Sequence, residues 1–125
     1  MIIPKTLEEC YVELEKDKLD DFESWINMKE RQAISNAHFS LGQWIRNNWG
    51  LWKAEGELYE WFKENEIEHA DDMSNIIITS FYRHMKKLEI RLEEQFNHTV
   101  EYYLNDQEKL LRRRKKKLNN IENAK

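Results

Sequence analysis

Cysteine, proline and glycine are nearly missing from this chain: Cys10, Pro4 and three glycines are all that its 125 residues contain. A single cysteine excludes an intrachain disulfide and a cysteine-built zinc site, and it fits a reducing compartment. Scarce glycine and proline exclude a fold built on hairpin turns. No run approaches the roughly 18 apolar residues of a membrane span, and MIIPKTLEEC has neither the charged nor the apolar part of a signal peptide. A cytoplasmic protein with no membrane segment is the expectation. Neither a GxSxG elbow nor a P-loop occurs, and His38, His69, His84 and His98 never fall at HxxxH or HExxH spacing. His69 with Asp71 and Asp72 reads as a loop and helix cap before it reads as a metal site. No catalytic residue, metal or cofactor is expected, and an enzyme is the least favoured class. Nothing supports Cys10 as a nucleophile.

What is present is helix-forming and unevenly charged. Charged residues make up 35% and hydrophobic ones 40%, with Glu, Lys, Leu and Asn prominent, so the chain is expected to be all-α with a real core. The net charge of −4 hides an asymmetry. Residues 1–111 carry 13 Lys and Arg against 23 Asp and Glu, while residues 112–125 carry 7 against 1. An acidic body disfavours nucleic-acid binding by the globular part, because phosphate contacts need a basic face. RRRKKK, Arg112 to Lys117, leaves nucleic acid only to the C-terminal end.

Thr6, Leu7, Glu8, Glu9 form a capping box, and Leu7, Tyr11 and Leu14 continue it as an amphipathic first helix. The acidic stretch 17–23 reads as a connector. Ile34, Ala37, Leu41, Ile45 and Asn48 share one face, which predicts a central helix from about Lys29 to Asn48, ended by Gly50. A short helix covers about Glu55 to Glu64, with Leu58, Trp61 and Phe62 inward. Asp71 or Asp72 then caps a last helix that meets no further glycine or proline. Helical to Leu118, it would extend roughly 70 Å, beyond what its own body can cover. Ile77, Phe81, Met85, Leu88, Leu92, Phe96, Val100, Tyr103 and Leu110 mark it as a coiled-coil seam. The less favoured alternative is a break near Asn97 or Asn105 and a helical hairpin within the monomer. The expected architecture is a small body of three helices plus a long C-terminal helix making a coiled-coil-like oligomer contact. Its divisions are a helical domain over 1–85, an oligomerising helix over 86–120 and a disordered tail over 121–125.

LGQWIRNNWGLW, Leu41 to Trp52, is the densest constellation. Gly42 inside a helix costs about 1 kcal/mol against alanine, so something must approach it closely: a packed helix or a ligand. Arg46, Asn47, Asn48, Trp49 and Trp52 could supply a cation, amides and rings for an anion. The alternative is a tryptophan core with Arg46 paired to an acid. Tyr82, Arg83 and His84 form a second group that could face the first.

PKTLEE, LGQWIRNNWGLW and HADDMSNIIITSFYRH, in that order, resemble a family of small, functionally uncharacterised bacterial and phage domains. The likeness spans about Pro4 to His84. It implies that Leu41, Gly42, Trp44 to Trp52, Asp71 to Ser74 and Tyr82 to His84 are motif positions, and it brings no role with them. Ala70 stands where the family pattern has proline, and the chain beyond Lys86 is an extension.

Two functions are therefore expected. In the first, a non-catalytic protein holds a small anionic or nucleotide-like ligand between residues 46–52 and 82–84, as a sensor or as a sequestering sponge of the kind phages use against host signalling. In the second, an acidic inhibitor or adaptor masks a basic surface on a partner such as a toxin or nuclease. Either is expected to be a homo-oligomer through the C-terminal helix.

Overall fold

The computed structural model describes residues 2–16 and 19–124. Positions 17 and 18 of the expected acidic connector lie outside them. Every helix or strand among the described residues is an α-helix: α1 (Leu7–Leu14), α2 (Phe22–Ile26), α3 (Glu30–His38), α4 (Leu41–Asn48), α5 (Glu57–Glu64), α6 (Ala70–Met85), α7 (Leu92–Tyr102) and α8 (Asp106–Asn123). The all-α class holds. A three-helix body with one long C-terminal helix does not, since two expected helices are broken.

α6 is the axis of the fold. Met73, Ile76, Ile77, Ile78 and Phe81 are all buried on it, and α1, α3, α4 and α7 pack around it. α1 begins where Thr6 accepts from the Glu9 amide at 3.1 Å, while the Glu9 carboxylate meets the Thr6 hydroxyl and not its amide. It lays Leu7, Cys10, Tyr11 and Leu14 inward. α2 inserts Trp25, whose indole donates to the Ala33 carbonyl at 2.8 Å, so its one polar atom is satisfied inside the core. Trp25 stacks on Phe81 and meets Tyr82 edge-on. On α5, Leu58 and Phe62 are buried and Trp61 packs against Phe96 of α7.

The expected central helix ends at His38 and restarts at Leu41, with Ser40 at φ −110°, ψ −85° between the two. The break frees the His38 carbonyl, which a side chain from α4 then uses. Gly50 lies just past α4 with φ +79°, as its position suggests, and Leu51 turns back into the core while Trp52 stays half-exposed.

The long helix is interrupted twice. At its first stop Lys87 takes φ +57°, its amide bonds to His84 O at 3.1 Å, and Leu88 bonds back to Arg83 O at 2.8 Å. That is a Schellman stop with lysine in the left-handed position that glycine usually fills. α5 ends in the same way: Glu66 has φ +66° and Ile67 reaches back to Phe62 O. A non-glycine residue there costs about 1 kcal/mol, which the recovered carbonyl bonds and the burial of Ile67 offset. The second interruption falls at Asn105, which caps α8 reciprocally with Glu108. α7 and α8 thus fold back on the body, and the expected seam is dissolved. Ile77, Phe81 and Phe96 enter the core, whereas Leu88, Tyr103 and Leu110 stay exposed. α6 starts at Ala70, so Asp71 and Asp72 sit in its first turn instead of capping it. α8 runs through 121–123, where a disordered tail had been expected; position 125 lies outside the described residues.

Asn105→Ala removes the cap and should cost about 1 kcal/mol, confined to α8. Hydrogen exchange should accelerate at residues 106–110 and stay unchanged in α1 to α6. A matching loss of protection in α6 would mean instead that α8 unfolds together with the body.

Candidate functional site

Arg46 is 4% exposed, and its guanidinium is held from several sides. Nη1 donates to Ser74 Oγ at 2.8 Å, and that hydroxyl donates to the Asp71 carbonyl at 3.0 Å. Nη2 donates to the His38 carbonyl at 3.1 Å. Nε lies 3.3 Å from Asp71 Oδ1, close enough for an ion pair but out of line for a hydrogen bond. The Trp52 ring covers the group at 5.6 Å. A Cβ on Gly42 would stand 2.9 Å from Nη1 and 3.3 Å from the Ala37 carbonyl. A side chain there would have to displace the Arg46 guanidinium, one turn on, which its bonds to Ser74 and the His38 carbonyl hold across that spot. The notch is therefore filled from within the chain.

The rest of the tryptophan motif divides between core and surface. Trp49 is buried and meets Trp44 edge-on. Asn48 donates to the Trp44 carbonyl at 2.8 Å, and Asn47 faces solvent.

Tyr82, Arg83 and His84 diverge from one another. The Tyr82 hydroxyl donates to the Met28 carbonyl at 2.7 Å, with Lys86 donating to the same hydroxyl. Arg83 grips both Glu30 oxygens at 2.7 and 3.0 Å and donates to the Ile90 carbonyl, tying α3 to the α6–α7 connection. Those bonds hold the Glu30 carboxyl below its ordinary range. His84 stacks on Tyr11 at 4.4 Å with Nε2 3.7 Å from Glu15. Ser74, where Arg46 binds, and Arg83 are nine residues apart on α6, or roughly 13 Å of rise. Arg46 and the Tyr82 to His84 group therefore anchor opposite ends of α6 and do not line one cavity.

Open grooves lie elsewhere, and two of them have a volume of about 520 Å³ each. The α6–α7 groove is polar, lined by Asp72, Asn75, Thr79, Arg83, Gln95 and His98 among others. Asn75, Thr79 and Arg83 recur at spacing four, a stripe visible in the sequence. Gln95 and His98 join it only because α7 folds back. Asp72 of this groove also accepts from Tyr103, which lines a neighbouring pocket, at 2.6 Å, and that bond pushes the phenol up to about 12. The second groove is apolar, floored by Leu7 and Tyr11 of α1, walled by Val12, Ile90 and Leu92, and rimmed by Glu8, Glu15 and His84.

Burial pushes the Cys10 thiol far above its ordinary range, which suppresses the thiolate that nucleophilic chemistry needs. Among the described residues no His, Cys, Asp or Glu group is placed to hold a metal, and no helix is long and apolar enough to cross a membrane. In the basic block, Arg112 pairs with Glu66, Arg113 with Glu101 and Lys116 with Glu93, so half of it is neutralised by the body.

Comparison with protein families places residues 3–85 in a family described as a domain of unknown function, DUF6794. No curated protein and no solved structure matches the chain.

Arg46→Ala should cost about 1–3 kcal/mol, since Ser74 and the His38 carbonyl lose a buried donor while the half-exposed Asp71 carboxylate rehydrates. Arg46→Lys should not restore it, because one ammonium lacks the fork that reaches both acceptors. Gly42→Ala should also lower the urea midpoint, despite alanine's intrinsic advantage of about 1 kcal/mol in a helix. A raised midpoint would mean that the guanidinium does not rest there. A second expectation concerns pH. Because the Glu30 carboxyl is lowered in the folded state, its stabilisation is complete above the ordinary carboxylate range and is lost as pH falls through the lowered value. The melting-temperature gap between wild type and Glu30→Gln should be constant above about pH 5 and close on acidification.

Proposed function

We propose, for a chain that belongs to the DUF6794 family of domains of unknown function, a non-catalytic role as an acidic adaptor or inhibitor that covers a basic surface on a partner protein. The carrying observation is charge that the fold leaves at the surface. Residues 3–85 hold 17 Asp and Glu against 9 Lys and Arg. Glu57, Glu60 and Glu64 share the exposed face of α5, although like charges at that spacing cost about 0.2–0.5 kcal/mol a pair. Glu57 pairs with Lys5, while Glu60 and Glu64 have no cationic partner among the described residues. Among the described residues the most deeply buried cation, Arg46, is committed to internal acceptors, which weakens an anion site and leaves surface complementarity as the stronger reading.

A small-ligand reading keeps one observation in its favour: the 520 Å³ polar groove between α6 and α7 contains Arg83. Arg83 is already gripped by Glu30, and Asp72 and Glu94 line the same groove. A neutral or zwitterionic polar molecule would suit it better than a nucleotide. A sensing or sequestering role, including a phage-type sponge, belongs to this second reading.

The test is affinity capture from a lysate of the organism that carries the gene, eluted along a salt gradient. Basic proteins should be retained at low salt and released by about 0.3 M, where the Debye length shrinks below about 8 Å. The Glu60→Lys/Glu64→Lys variant should retain less of the same proteins. Retention that ignores both salt and charge reversal, together with a salt-tolerant thermal shift from small metabolites, would favour the groove instead.

A further inference from the structure

α8 is docked with its amphipathic face reversed. Its links to the body are polar: Arg112 to Asn97 and Glu66, Arg113 to Glu101, and Lys116 to Glu93 and Asn97. No residue of α8 is buried. At about 100° per residue, Leu110, Leu111, Leu118 and Ile121 fall within one arc opposite Arg112 and Lys116. All four are between 49% and 62% exposed. Arg114 lies inside that arc, and Lys115 and Lys117 lie at its two edges. None of these three cations has a carboxylate partner among the described residues.

An apolar stripe set among unpaired cations is suited to an apolar groove with an acidic rim. It is poorly suited to another α8. Pairing two copies in either direction brings Arg114 and its lysine neighbours together, because they stand midway between Leu111 and Leu118. The same chain presents the complementary surface elsewhere. The groove on α1 has Leu7, Tyr11, Val12, Ile90 and Leu92 for floor and walls and Glu8 and Glu15 on its rim, with Val12 57% exposed. Its own α8 is held against Glu66, Glu93 and Glu101, on residues that do not line that groove.

We infer that a second copy fills it: α8 of each chain lays its leucine stripe in the α1 groove of the other, with Lys115 and Lys117 at the stripe's edges against Glu8 and Glu15, and the long Arg114 side chain extending from between the leucines to the same acidic rim. The contact is reciprocal and closes as a two-fold dimer. It differs from a coiled coil in pairing unlike surfaces, and it does not depend on the partner-protein reading above.

Sedimentation velocity on the full chain tests this. Wild type should dimerise with rising concentration, more weakly at high salt. Arg114→Glu/Lys117→Glu should weaken dimerisation tenfold or more, and so should Glu8→Lys/Glu15→Lys. An equimolar mixture of the two variants should recover it, because each acidic α8 then meets a basic groove and each basic α8 an acidic one. All substituted positions are exposed, and unchanged helical circular dichroism shows that the variants fold; Leu118→Glu provides an independent disruption of the stripe. A wild-type monomer up to about 1 mM would overturn the proposal. So would a dimer indifferent to both reversals, or a mixture that stays monomeric. A monomeric chain that binds phosphatidylserine vesicles and loses them on Leu118→Glu would assign the stripe to a lipid surface and equally overturn it.

Discussion

A guanidinium taken out of water must find acceptors for its fixed fork of N–H groups or destabilise the fold by several kcal/mol. Around Arg46 those acceptors come from two elements, the open carbonyl at the end of α3 and the Ser74 hydroxyl in the second turn of α6, with Asp71 of α6 adding an ion pair and α4 carrying the arginine itself. Much of the local architecture follows from that requirement. α3 must stop at His38 so that a carbonyl is free, and α4 must restart at an angle that brings Arg46 to it. Gly42 must lack a side chain so that the guanidinium can lie over α4. The register of α6 is set by the same contacts, and α6 carries the core.

The other end of α6 is fixed by related means. Arg83 bridges Glu30 and the Ile90 carbonyl, and Tyr82 reaches the Met28 carbonyl, so the connections flanking α3 and α6 are pinned by side chains instead of by turn residues. That explains how so few glycines suffice. Left-handed stops at Glu66 and Lys87 cost little when a buried neighbour or a side-chain bridge holds the following segment.

Folding back of α7 and α8 decides what the surface presents. Charge holds α8 to the body, and among its apolar side chains Leu110, Leu111, Leu118 and Ile121 stay exposed. Docking by the polar face leaves the leucine stripe and three cations outward, while the body displays acids on α1 and α5. The surface therefore carries a basic, leucine-striped face on α8 and acidic faces on α1 and α5.

Helical class, the apolar faces of α1, α5 and α6 and the stop at Gly50 were legible in the sequence, because they rest on periodicity and local backbone preference that need no partner. The charge asymmetry was legible for the same reason. Belonging to composition, it survives any arrangement of the helices. The break at Asn105 was legible as the less favoured alternative, since Asn105 and Glu108 form a local capping box; the destination of Arg46, the breaks at Ser40 and Lys87, and the separation of Arg46 from Arg83 were decided by tertiary structure. Lysine in a left-handed stop carries no local signal, and an arginine beside a glycine reads equally as a ligand site or a buried clasp. Only the position of His38, Asp71 and Ser74 in space makes it a clasp, since a buried charge takes whichever acceptors the fold brings within about 3 Å.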